Sequence, residues 1–372
     1  MGQKLKVEKV DIFIVPMELK YPFTTSFGTE KKRRVVIVSL ESGDLKGWGE
    51  CTAGEGPWYS YETVDTAVHI AKEFLVPLVL KQEFNNPTEF YQRISVVRGN
   101  NMIKAAFEEA FWDLYAKSLG KPLYVLLGGV RTKIFSGVSI GIKGSIDELI
   151  RHINMYLNMG YRRIKIKIKP GWDIEVVRQV RRQFPEIPLQ VDANAAYDIS
   201  YITLFEELDK YNLLMIEQPF HYEDLVDHAY LQKRIGTPIC LDESIHSIHL
   251  AKAAIALGST RVINIKPGRV GGIIQSKEIH DYAKERNIPV WIGGMLESGI
   301  GRAHLVALAT LPNVRYPNDV SASDRYYHED IVEPEFKLNK DGTISVPNGP
   351  GIGVEVKEEF IEEKAIDIFE WS

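Results

Sequence analysis

The 372-residue chain has little cysteine, no long apolar stretch and no excess of positive charge. Its only cysteines, Cys51 and Cys240, lie in strand-like runs, so we expect buried, reduced thiols and no disulfide framework. No run approaches the roughly eighteen apolar residues that a membrane span needs, and the start of the chain lacks the apolar core of a signal peptide. These absences predict a cytoplasmic protein without a membrane-bound segment.

The charge balance gives no indication of a nucleic-acid partner. Lysine and arginine total 45 against 50 aspartate and glutamate, for a net charge of −5, which offers no basic surface to nucleic acid or to anionic lipid. The one basic cluster is Lys31-Lys32-Arg33-Arg34. Because it follows Glu30 and precedes an apolar run, we interpret it as a solvated turn that leads into a strand.

The first part of the chain predicts an α+β domain. Strand patterns come first and helical periodicity follows, without the alternation that parallel sheets require. The predicted strands and helices cover residues 5–17, 34–50, 61–80 and 101–119. Gly43-Asp44 marks a turn within the strand region. We expect a capping domain over residues 1–130.

From residue 135 onward, β-rich runs alternate with helices of about four turns. The predicted strands cover 135–142, 162–168, 188–194, 213–219, 238–244, 261–267 and 289–296, with a short eighth at 314–320. Ser145 and Glu148 fit a capping box at the start of a helix, and Gly160 fits the end of that helix. Ser247 and Gly258 mark the start and the end of a later helix in the same way. The fold class is therefore α/β, a modified TIM barrel of (β/α)7β type over residues 131–325. The tail, 326–372, has a hairpin signal at 340–343 and is expected to pack back on the cap.

Five ionisable residues stand near the ends of successive predicted strands. They are Lys167, Asp192, Glu217, Asp242 and Lys266, and the gaps between them are 25, 25, 25 and 24 residues. One strand, one helix and two short loops need about that length, so each residue is presented at the same height on its own strand. We call these five residues the ionisable ring.

The alternation in residues 163–169 places lysines inside the barrel. Basic residues share one parity of this strand and isoleucines the other. Because a barrel strand is covered on both faces, the isoleucines must face the helices, which turns Lys165 and Lys167 inward. Buried ammonium groups need carboxylates, a metal-linked network or an anionic ligand nearby.

The ring predicts a metal site between two amines. Lys167 on strand 2 and Lys266 on strand 6 are opposite each other in an eight-membered ring, and the three acids occupy the arc between them. Three monodentate carboxylates suit Mg²⁺ better than Zn²⁺. Oxygen atoms of a substrate can complete the coordination of such an ion. The expected partner is therefore a small carboxylate substrate.

Two lysines and a metal suit the removal of an α-proton from a carboxylate. The product carries a second negative charge, and a divalent cation stabilises that enediolate. The base must be a neutral lysine, and we expect burial, the metal and the cations Lys165 and Arg269 to lower its pKa. Amines on both faces allow racemisation, whereas one base and a β-leaving group allow elimination, with the opposite lysine helping electrostatically. The half-reaction is predicted and the overall reaction stays open.

These motifs resemble the enolase superfamily, and within it the muconate lactonizing subgroup. Lys-Ile-Lys at 165–167 and Lys266 stand where that subgroup has paired bases, whereas the histidine base of the mandelate racemase subgroup is absent from the sequence. Other motifs are similar to the o-succinylbenzoate synthase/N-succinylamino acid racemase family. They lie at 169–173, 191–194, 216–219, 241–244, 264–272, 293–299 and 321–327.

The resemblance implies a role for each site residue. Asp192, Glu217 and Asp242 would bind Mg²⁺, for which Mn²⁺ can substitute, and Lys167 and Lys266 would be the acid/base pair. Lys165 would hold the substrate carboxylate, with Asn194 and Glu243 hydrogen-bonding around it. From its place three residues after Lys266, we read Arg269 as tuning that lysine. The resemblance also implies a homo-oligomer, either a dimer or an octamer.

Further residues are expected to line the pocket. Ser139 lies on the first barrel strand, Met295 on the seventh, and Ser321 and Ser323 follow the eighth. Two cap loops, 21–28 and 50–59, contain glycine and aromatic residues and are predicted to close over the mouth. Their candidate contact residues are Phe23, Ser26 and Trp58.

Several activities share this mechanism. The leading reading is dehydration to o-succinylbenzoate, a step of menaquinone biosynthesis, and/or racemisation of N-succinyl and other N-acyl amino acids. Dipeptide epimerase and muconate cycloisomerase are alternatives, although an epimerase would be expected to have Asp-x-Asp after strand 8, where this chain has Ser321-Ala322-Ser323-Asp324. A non-catalytic binding protein on the same fold is the remaining alternative, and the intact ring argues against it.

Overall fold

The computed structural model describes residues 4–26 and 28–372. The N-terminal part is built on antiparallel strands, as the sequence predicts, and Gly43-Asp44 forms the turn between two of them. Its strands are β1 (Leu5–Lys6), β2 (Lys9–Thr24), β3 (Thr29–Ser42), β4 (Leu45–Cys51) and β5 (Glu83–Phe84).

Helices pack on this sheet. They are α1 (Val64–Ile70), α2 (Val76–Val79), α3 (Pro87–Ile94), α4 (Asn101–Ser118) and α5 (Leu123–Leu126). The helix predicted over 61–80 is divided, because a π-helical turn at Ala71–Leu75 separates α1 from α2. The helix predicted over 101–119 is α4, almost residue for residue.

Two glycines of β4 bring α4 into direct contact with the strand. A Cβ atom built at Gly49 would stand closer than 3.0 Å to the backbone of Ala106, and one at Gly47 would do the same at Ala110. Real Cβ atoms essentially never approach so closely, so a side chain at either position requires the helix to move. The close approach of α4 therefore depends on these two residues.

We expect Gly49→Ala to lower the free energy of unfolding by about 1–3 kcal/mol, because overpacking displaces a rigid helix. Urea unfolding followed by circular dichroism measures this difference. Gly236→Ala is the matched control, since a Cβ there would meet only Asp209 at an ordinary 3.7 Å. Equal stability of the two variants would contradict the packing argument.

The second part of the chain forms the predicted barrel. After β6 (Lys133–Phe135), seven parallel strands follow, and they pair in chain order within one sheet. They are β7 (Val138–Ile140), β8 (Ile164–Lys167), β9 (Leu189–Asp192), β10 (Met215–Glu217), β11 (Ile239–Leu241), β12 (Val262–Ile265) and β13 (Val290–Ile292). Each lies inside its predicted range but is shorter.

The eighth predicted strand, 314–320, closes the barrel through isolated parallel bridges. Val314 pairs with Val290 at the seventh strand, and Asn318 pairs with Ser136 beside the first. The Asp319 N–H also donates to the carbonyl of Ile292, at 3.0 Å. This segment joins the two edges of the sheet.

Helices follow the barrel strands. They are α6 (Ile146–Met159), α7 (Ile174–Gln183), α8 (Ile202–Leu208), α9 (Val226–Gln232), α10 (Ile248–Leu257), α11 (Pro267–Val270), α12 (Ile273–Glu285) and α13 (Gly299–Ala309). Ser145 and Ser247 accept hydrogen bonds at the starts of α6 and α10, and glycines with positive φ end both helices. The Glu148 carboxylate accepts from Gly144 N–H, one residue before the position that a strict capping box requires.

The C-terminal tail completes the cap sheet. It contains α14 (Ser323–Tyr326), β14 (Val332–Glu333), β15 (Thr343–Ser345), β16 (Glu355–Val356), α15 (Glu358–Lys364) and β17 (Asp367–Trp371). β17 pairs antiparallel with β2, giving the order β17-β2-β3-β4. The predicted hairpin at 340–343 is present, since Leu338 bridges Ile344 across it.

Cap carboxylates hold the N-termini of two barrel helices. Glu50 accepts from the backbone N–H groups of Ser298 and Gly301 at the start of α13, at 3.1 and 3.0 Å. Glu108 on α4 accepts from Ile273 N–H at the start of α12, at 2.6 Å. The first N–H groups of a helix have no partner within the helix, so by accepting from them these carboxyl groups fix the cap on the barrel. None of the described helices combines the length and apolar character needed to cross a membrane.

Stability should depend on pH through Glu50. Burial raises the pKa of this carboxyl from 4.5 to about 7. The folded state then binds more protons than the unfolded state within this window, so stability present below pH 4.5 is lost as pH rises through 7. Because Glu50→Gln cannot ionise, its free energy of unfolding relative to the wild type should rise by up to about 3 kcal/mol between pH 4 and pH 8.

Urea unfolding of both proteins at a series of pH values measures this effect. Glu362→Gln, on the exposed side of α15, is the matched control. A Glu50→Gln profile that stays parallel to the wild type across the window would contradict the assignment.

Candidate active site

The ionisable ring comes together at the C-terminal end of the parallel sheet. Lys167, Asp192 and Glu217 are the last residues of β8, β9 and β10, and their backbones are in register. Asp242 and Lys266 directly follow β11 and β12. All five residues are buried, with 6% exposure at most. The equal sequence spacing thus corresponds to neighbouring positions around one mouth.

Each lysine of the ionisable ring donates a hydrogen bond to the ring carboxylate next to it. Lys167 Nζ donates to Asp192 Oδ2 at 2.6 Å and to Asn194 Oδ1 at 2.7 Å. The Asn194 amide donates in turn to Glu243 Oε1 at 2.9 Å. Lys266 Nζ donates to Asp242 Oδ2 at 2.8 Å on the other side. Both amines are therefore held in fixed positions.

Lys165 lies inside the barrel, as the alternation predicts, and has the counterions that burial requires. Its Nζ is 2.6 Å from Asp319 Oδ2, 2.9 Å from Glu217 Oε2 and 3.3 Å from Asp192 Oδ2. Asp319 also pairs with Arg163, at 2.7 Å. This network joins the eighth-strand segment to the floor of the site.

The protein groups around Lys266 shift its pKa upward, against the direction expected from burial and neighbouring cations, and the lowering expected from a bound metal stays a prediction. Burial lowers its pKa, but Tyr59 and the carboxylates of Glu243, Glu217 and Asp192 outweigh burial, so the pKa is raised. The pKa of Lys165 is also raised, because Asp319 and Glu217 outweigh burial. The sequence argument gave weight to burial and neighbouring cations, whereas the carboxylates decide the sign.

The three ring carboxylates are surrounded by donors. Glu217 accepts from Asn264 Nδ2 at 2.7 Å and from Gln190 Nε2 at 2.6 Å. Asp242 Oδ1 accepts from Arg269 and from the Tyr59 hydroxyl. Among the residues that the structure describes, no three His, Cys, Asp or Glu side chains form a ready metal-binding group.

The chemistry of this donor set nevertheless fits a hard divalent cation. Asp192, Glu217 and Asp242 offer three carboxylates from adjacent strands, which are the ligands that Mg²⁺ prefers. Their oxygens now accept from amines and amides, so binding a cation requires those donors to give up part of their bonds. The residues suit the ion, and the side chains must rearrange to hold it.

A cavity of about 500 Å³ lies above the ring, between barrel and cap. On the barrel side Lys165, Lys167, Lys266 and Asn194 line it, together with Ser139 and Met295. The Ser139 hydroxyl is buried without a hydrogen-bond partner among the described residues, so it is available to a ligand. Both predicted pocket residues of these strands therefore face the cavity.

The cap loops supply the opposite wall. Phe23 and Trp58 line the cavity, and Trp58 is 72% exposed at its rim. Ser26 instead lies against the barrel loop, where its hydroxyl is 3.5 Å from the Asn194 carbonyl. Phe27, next to the end of the predicted lid loop, falls outside the described residues.

Two residues that were predicted to line the pocket do not border the cavity. Ser323 begins α14, and its hydroxyl accepts from Arg302 at 3.0 Å and from Phe336 N–H at 3.1 Å, so it is occupied by structural bonds. Ser321 is buried and is not among the residues that border the cavity. Tyr326, a little further along, lines the cavity instead.

Arg269 has no direct bond to Lys266. It donates to the Tyr59 hydroxyl, at 3.2 Å, and to Asp242, which are the two groups that Lys266 also contacts. Its influence on Lys266 would therefore pass through these shared partners.

Sequence reasoning missed Tyr59 and Asp319. The Tyr59 hydroxyl lies 3.2 Å from Lys266 Nζ, and its ring centroid lies 4.7 Å from the same atom. The neighbouring Trp58 was the residue singled out, although both belong to the predicted loop. Asp319 could have been found as the one acid on the predicted eighth strand, where buried lysines need a counterion.

For the basic run at 31–34 the predicted turn is wrong, although Lys31 and Lys32 are exposed as expected. The run lies inside β3, not in a turn, and Lys31, Lys32 and Arg33 border the cavity. Their position follows from the length of the β2–β3 hairpin, which extends the cap over the barrel mouth.

Family models match most of the chain. The N-terminal domain of mandelate racemase/muconate lactonizing enzyme matches residues 8–128, and the enolase C-terminal domain-like model matches residues 148–360. A crystal structure of an enolase superfamily member from Listeria innocua superposes with a TM-score of 0.95 at 41% identity, covering 98% of this chain and 99% of that one. The fold and these matches define an enzyme of the enolase superfamily.

Similarity to curated proteins identifies the family within this superfamily. An o-succinylbenzoate synthase from Geobacillus kaustophilus is 51% identical over 359 residues, 96% of either chain. An N-succinylamino acid racemase from Thermus thermophilus is 46% identical over 358 residues, 96% of this chain and 97% of that one. A muconate cycloisomerase from Rhodococcus opacus is more distant, at 28% identity. The chain belongs to the o-succinylbenzoate synthase/N-succinylamino acid racemase family.

Proposed function

We propose that the protein removes the α-proton of a carboxylate substrate in a Mg²⁺-dependent reaction. It would act as an o-succinylbenzoate synthase, as an N-succinyl or N-acylamino acid racemase, or as both. One observation carries the proposal: Lys167 and Lys266 border the same cavity, four strands apart in the barrel, with three carboxylates between them. The family relatives support the same reading.

The two lysines would exchange the α-proton from opposite sides. Four strands of an eight-membered ring separate them, so a planar carbanion between them would meet one amine on each face. In racemisation, the deprotonated lysine takes the proton and the protonated lysine returns one on the other face. In dehydration, one lysine takes the α-proton and returns it to the β-hydroxyl, which leaves as water, while the other lysine stabilises negative charge.

Asp192, Glu217 and Asp242 would hold Mg²⁺ or Mn²⁺. When bound, the cation supplies charge that stabilises the developing dianion and favours neutral lysine nearby. Lys165 and Ser139 would bind the substrate carboxylate or its acyl arm, and the Asn194–Glu243 pair would orient Lys167. Met295, with Phe23 and Trp58 from the cap, would form apolar walls that exclude water.

We further propose a division into cap (1–130), barrel (131–325) and tail (326–372), with specificity residing in the cap. The ends of the two family models, at 128 and 148, support a boundary in this region. A cytoplasmic dimer or octamer is proposed from the family resemblance, and light scattering of the purified protein measures its mass.

The test is proton NMR of N-succinyl-L-phenylalanine with the protein and Mg²⁺ in D₂O. Loss of the α-proton signal together with appearance of the D-enantiomer would establish proton exchange on both faces. Loss of the signal without inversion would limit the chain to one-sided exchange. If no exchange occurs, dehydration of the cyclohexadiene carboxylate precursor to o-succinylbenzoate becomes the deciding assay, and failure of both reactions would refute the proposal.

A further inference from the structure

Lys165 occupies two of the three carboxylates that are expected to hold the metal. Its Nζ lies 2.9 Å from Glu217 Oε2 and 3.3 Å from Asp192 Oδ2. Among the described residues, no other cationic side chain pairs with two carboxylates of the ionisable ring. Binding of a cation to Glu217 and Asp192 therefore requires the Lys165 ammonium to loosen two contacts at once.

Asp319 is the third partner of Lys165 and does not belong to the ring. Its Oδ2 is 2.6 Å from Lys165 Nζ, the shortest of the three contacts, and its Oδ1 is 2.7 Å from the Arg163 guanidinium. All three side chains are buried. Because Arg163 engages the second oxygen, the carboxylate is fixed in orientation. The geometry suits an anchor for the lysine better than a fourth metal ligand.

The surroundings of Asp319 stabilise the two cations independently of the ring. The indole of Trp291, buried on β13, has its ring centroid 4.9 Å from Lys165 Nζ and 5.0 Å from the guanidinium carbon of Arg163. Burial alone would raise the pKa of Asp319, but Arg163 and Lys165 outweigh burial and lower it. Negative charge is thus favoured at Asp319, beside a site that already accommodates the Lys165 ammonium.

We propose that Asp319 is a positioning residue that retains the Lys165 ammonium when Mg²⁺ binds Glu217 and Asp192. This inference rests on the proposed function, which assigns the metal to these carboxylates. A buried ammonium needs a counterion, so without Asp319 the lysine would hold the two ring carboxylates and compete with the cation for the same oxygens. With Asp319 present, Lys165 can release them and still line the cavity.

The experiment measures the dissociation constant of Mg²⁺ by isothermal titration calorimetry, on protein freed of metal with a chelator. The main variant is Arg163→Met/Asp319→Asn. It removes one positive and one negative charge together, so the net charge near the site is unchanged and neither partner of this ion pair is left buried alone. We expect the dissociation constant to rise at least about tenfold, because Lys165 then competes with Mg²⁺ more strongly.

A further substitution tests whether the effect passes through Lys165. Adding Lys165→Met to the double variant removes the competing ammonium and should restore most of the lost affinity, whereas a general loss of structure would not be reversed in this way. Arg163→Met alone keeps Asp319 and should bind Mg²⁺ at least as tightly as the wild type. Asp324→Asn removes an exposed carboxylate from the same segment and should leave the dissociation constant unchanged.

Far-UV circular dichroism checks that each variant folds. Asp319→Asn alone is a second route to the same result, because it should also weaken Mg²⁺ binding and should also be rescued by Lys165→Met. Affinity equal to that of the wild type in a folded variant without Asp319, or a loss that Lys165→Met does not reverse, would overturn the role of Asp319 and leave the proposed function intact. A wild type that binds no Mg²⁺ would refute the metal site of the proposed function and the role of Asp319 with it.

Discussion

Lys266→Ala is expected to abolish racemisation of N-succinyl-L-phenylalanine while exchange of the α-proton of one enantiomer persists. Lys167→Ala should give the mirror result and retain exchange for the other enantiomer. The reason is that each amine rests on its own carboxylate, Asp242 or Asp192, and serves one face of the carbanion. Loss of a general acid or base typically reduces the rate about 10²–10⁴-fold. Proton NMR in D₂O, started separately from each enantiomer, measures both rates.

Lys169→Ala is the matched control, because this lysine continues the same alternating run but is exposed beyond β8. Thermal melting of all three variants separates loss of chemistry from loss of folding. If either ring variant racemises within about tenfold of the wild type, the two-base mechanism is wrong. Arg269→Gln provides a finer contrast: if Arg269 tunes Lys266 through Asp242 and Tyr59, only exchange from the Lys266 side should slow.

The barrel could be predicted because its sequence signals are local and repeated. Each strand is a short apolar run followed by a helix, and the ring residues occur once per unit, so counting residues located them on five successive strands. Register follows from this repetition, since Lys167, Asp192 and Glu217 end three paired strands at the same level. Strand lengths were overestimated because the buried runs continue beyond the regular strands: Ile168, for example, follows β8, is buried, and still donates to the Asp192 carbonyl at 2.9 Å.

The cavity wall was harder to predict because it depends on contacts between distant segments. Ser323 and Lys32 show the two kinds of error. Ser323 follows the eighth strand, yet its hydroxyl is taken by Arg302 and Phe336, contacts that no local pattern reveals. Lys32 looks solvated in the sequence, and only the fold of the β2–β3 hairpin brings it over the mouth.

The sign of the lysine pKa shift depends on the same kind of information. Burial and nearby cations were visible in the sequence, whereas the distances to Glu217, Asp192 and Glu243 were not. The positive charge of protonated Lys266 compensates the carboxylates around it, which is why these groups raise its pKa. A divalent cation would take over that compensation, so the basic form of the lysine and the metal are coupled.

Glu217→Gln tests this coupling and should remove metal-dependent activity by about 10³-fold or more, because one of three charged ligands is lost at the site where negative charge develops. Mg²⁺ binding can also be measured without turnover, through the melting temperature. In the wild type, Mg²⁺ should raise the melting temperature in proportion to the logarithm of its concentration once the site is saturated, since a ligand that binds only the folded state stabilises it by mass action. Glu217→Gln should show little of this rise.

Glu223→Gln is the matched control, because this exposed glutamate follows the same strand a few residues later. Chelation of the wild type should reproduce the loss of activity, and Mg²⁺ or Mn²⁺ should restore it. The buried lysines allow loss of metal binding to be distinguished from loss of folding. Lys165 keeps Asp319 as a counterion at 2.6 Å when Glu217 is neutralised, so the variant is expected to fold. A folded Glu217→Gln protein that still gains stability from Mg²⁺ as the wild type does would place the cation elsewhere and refute the three-carboxylate site.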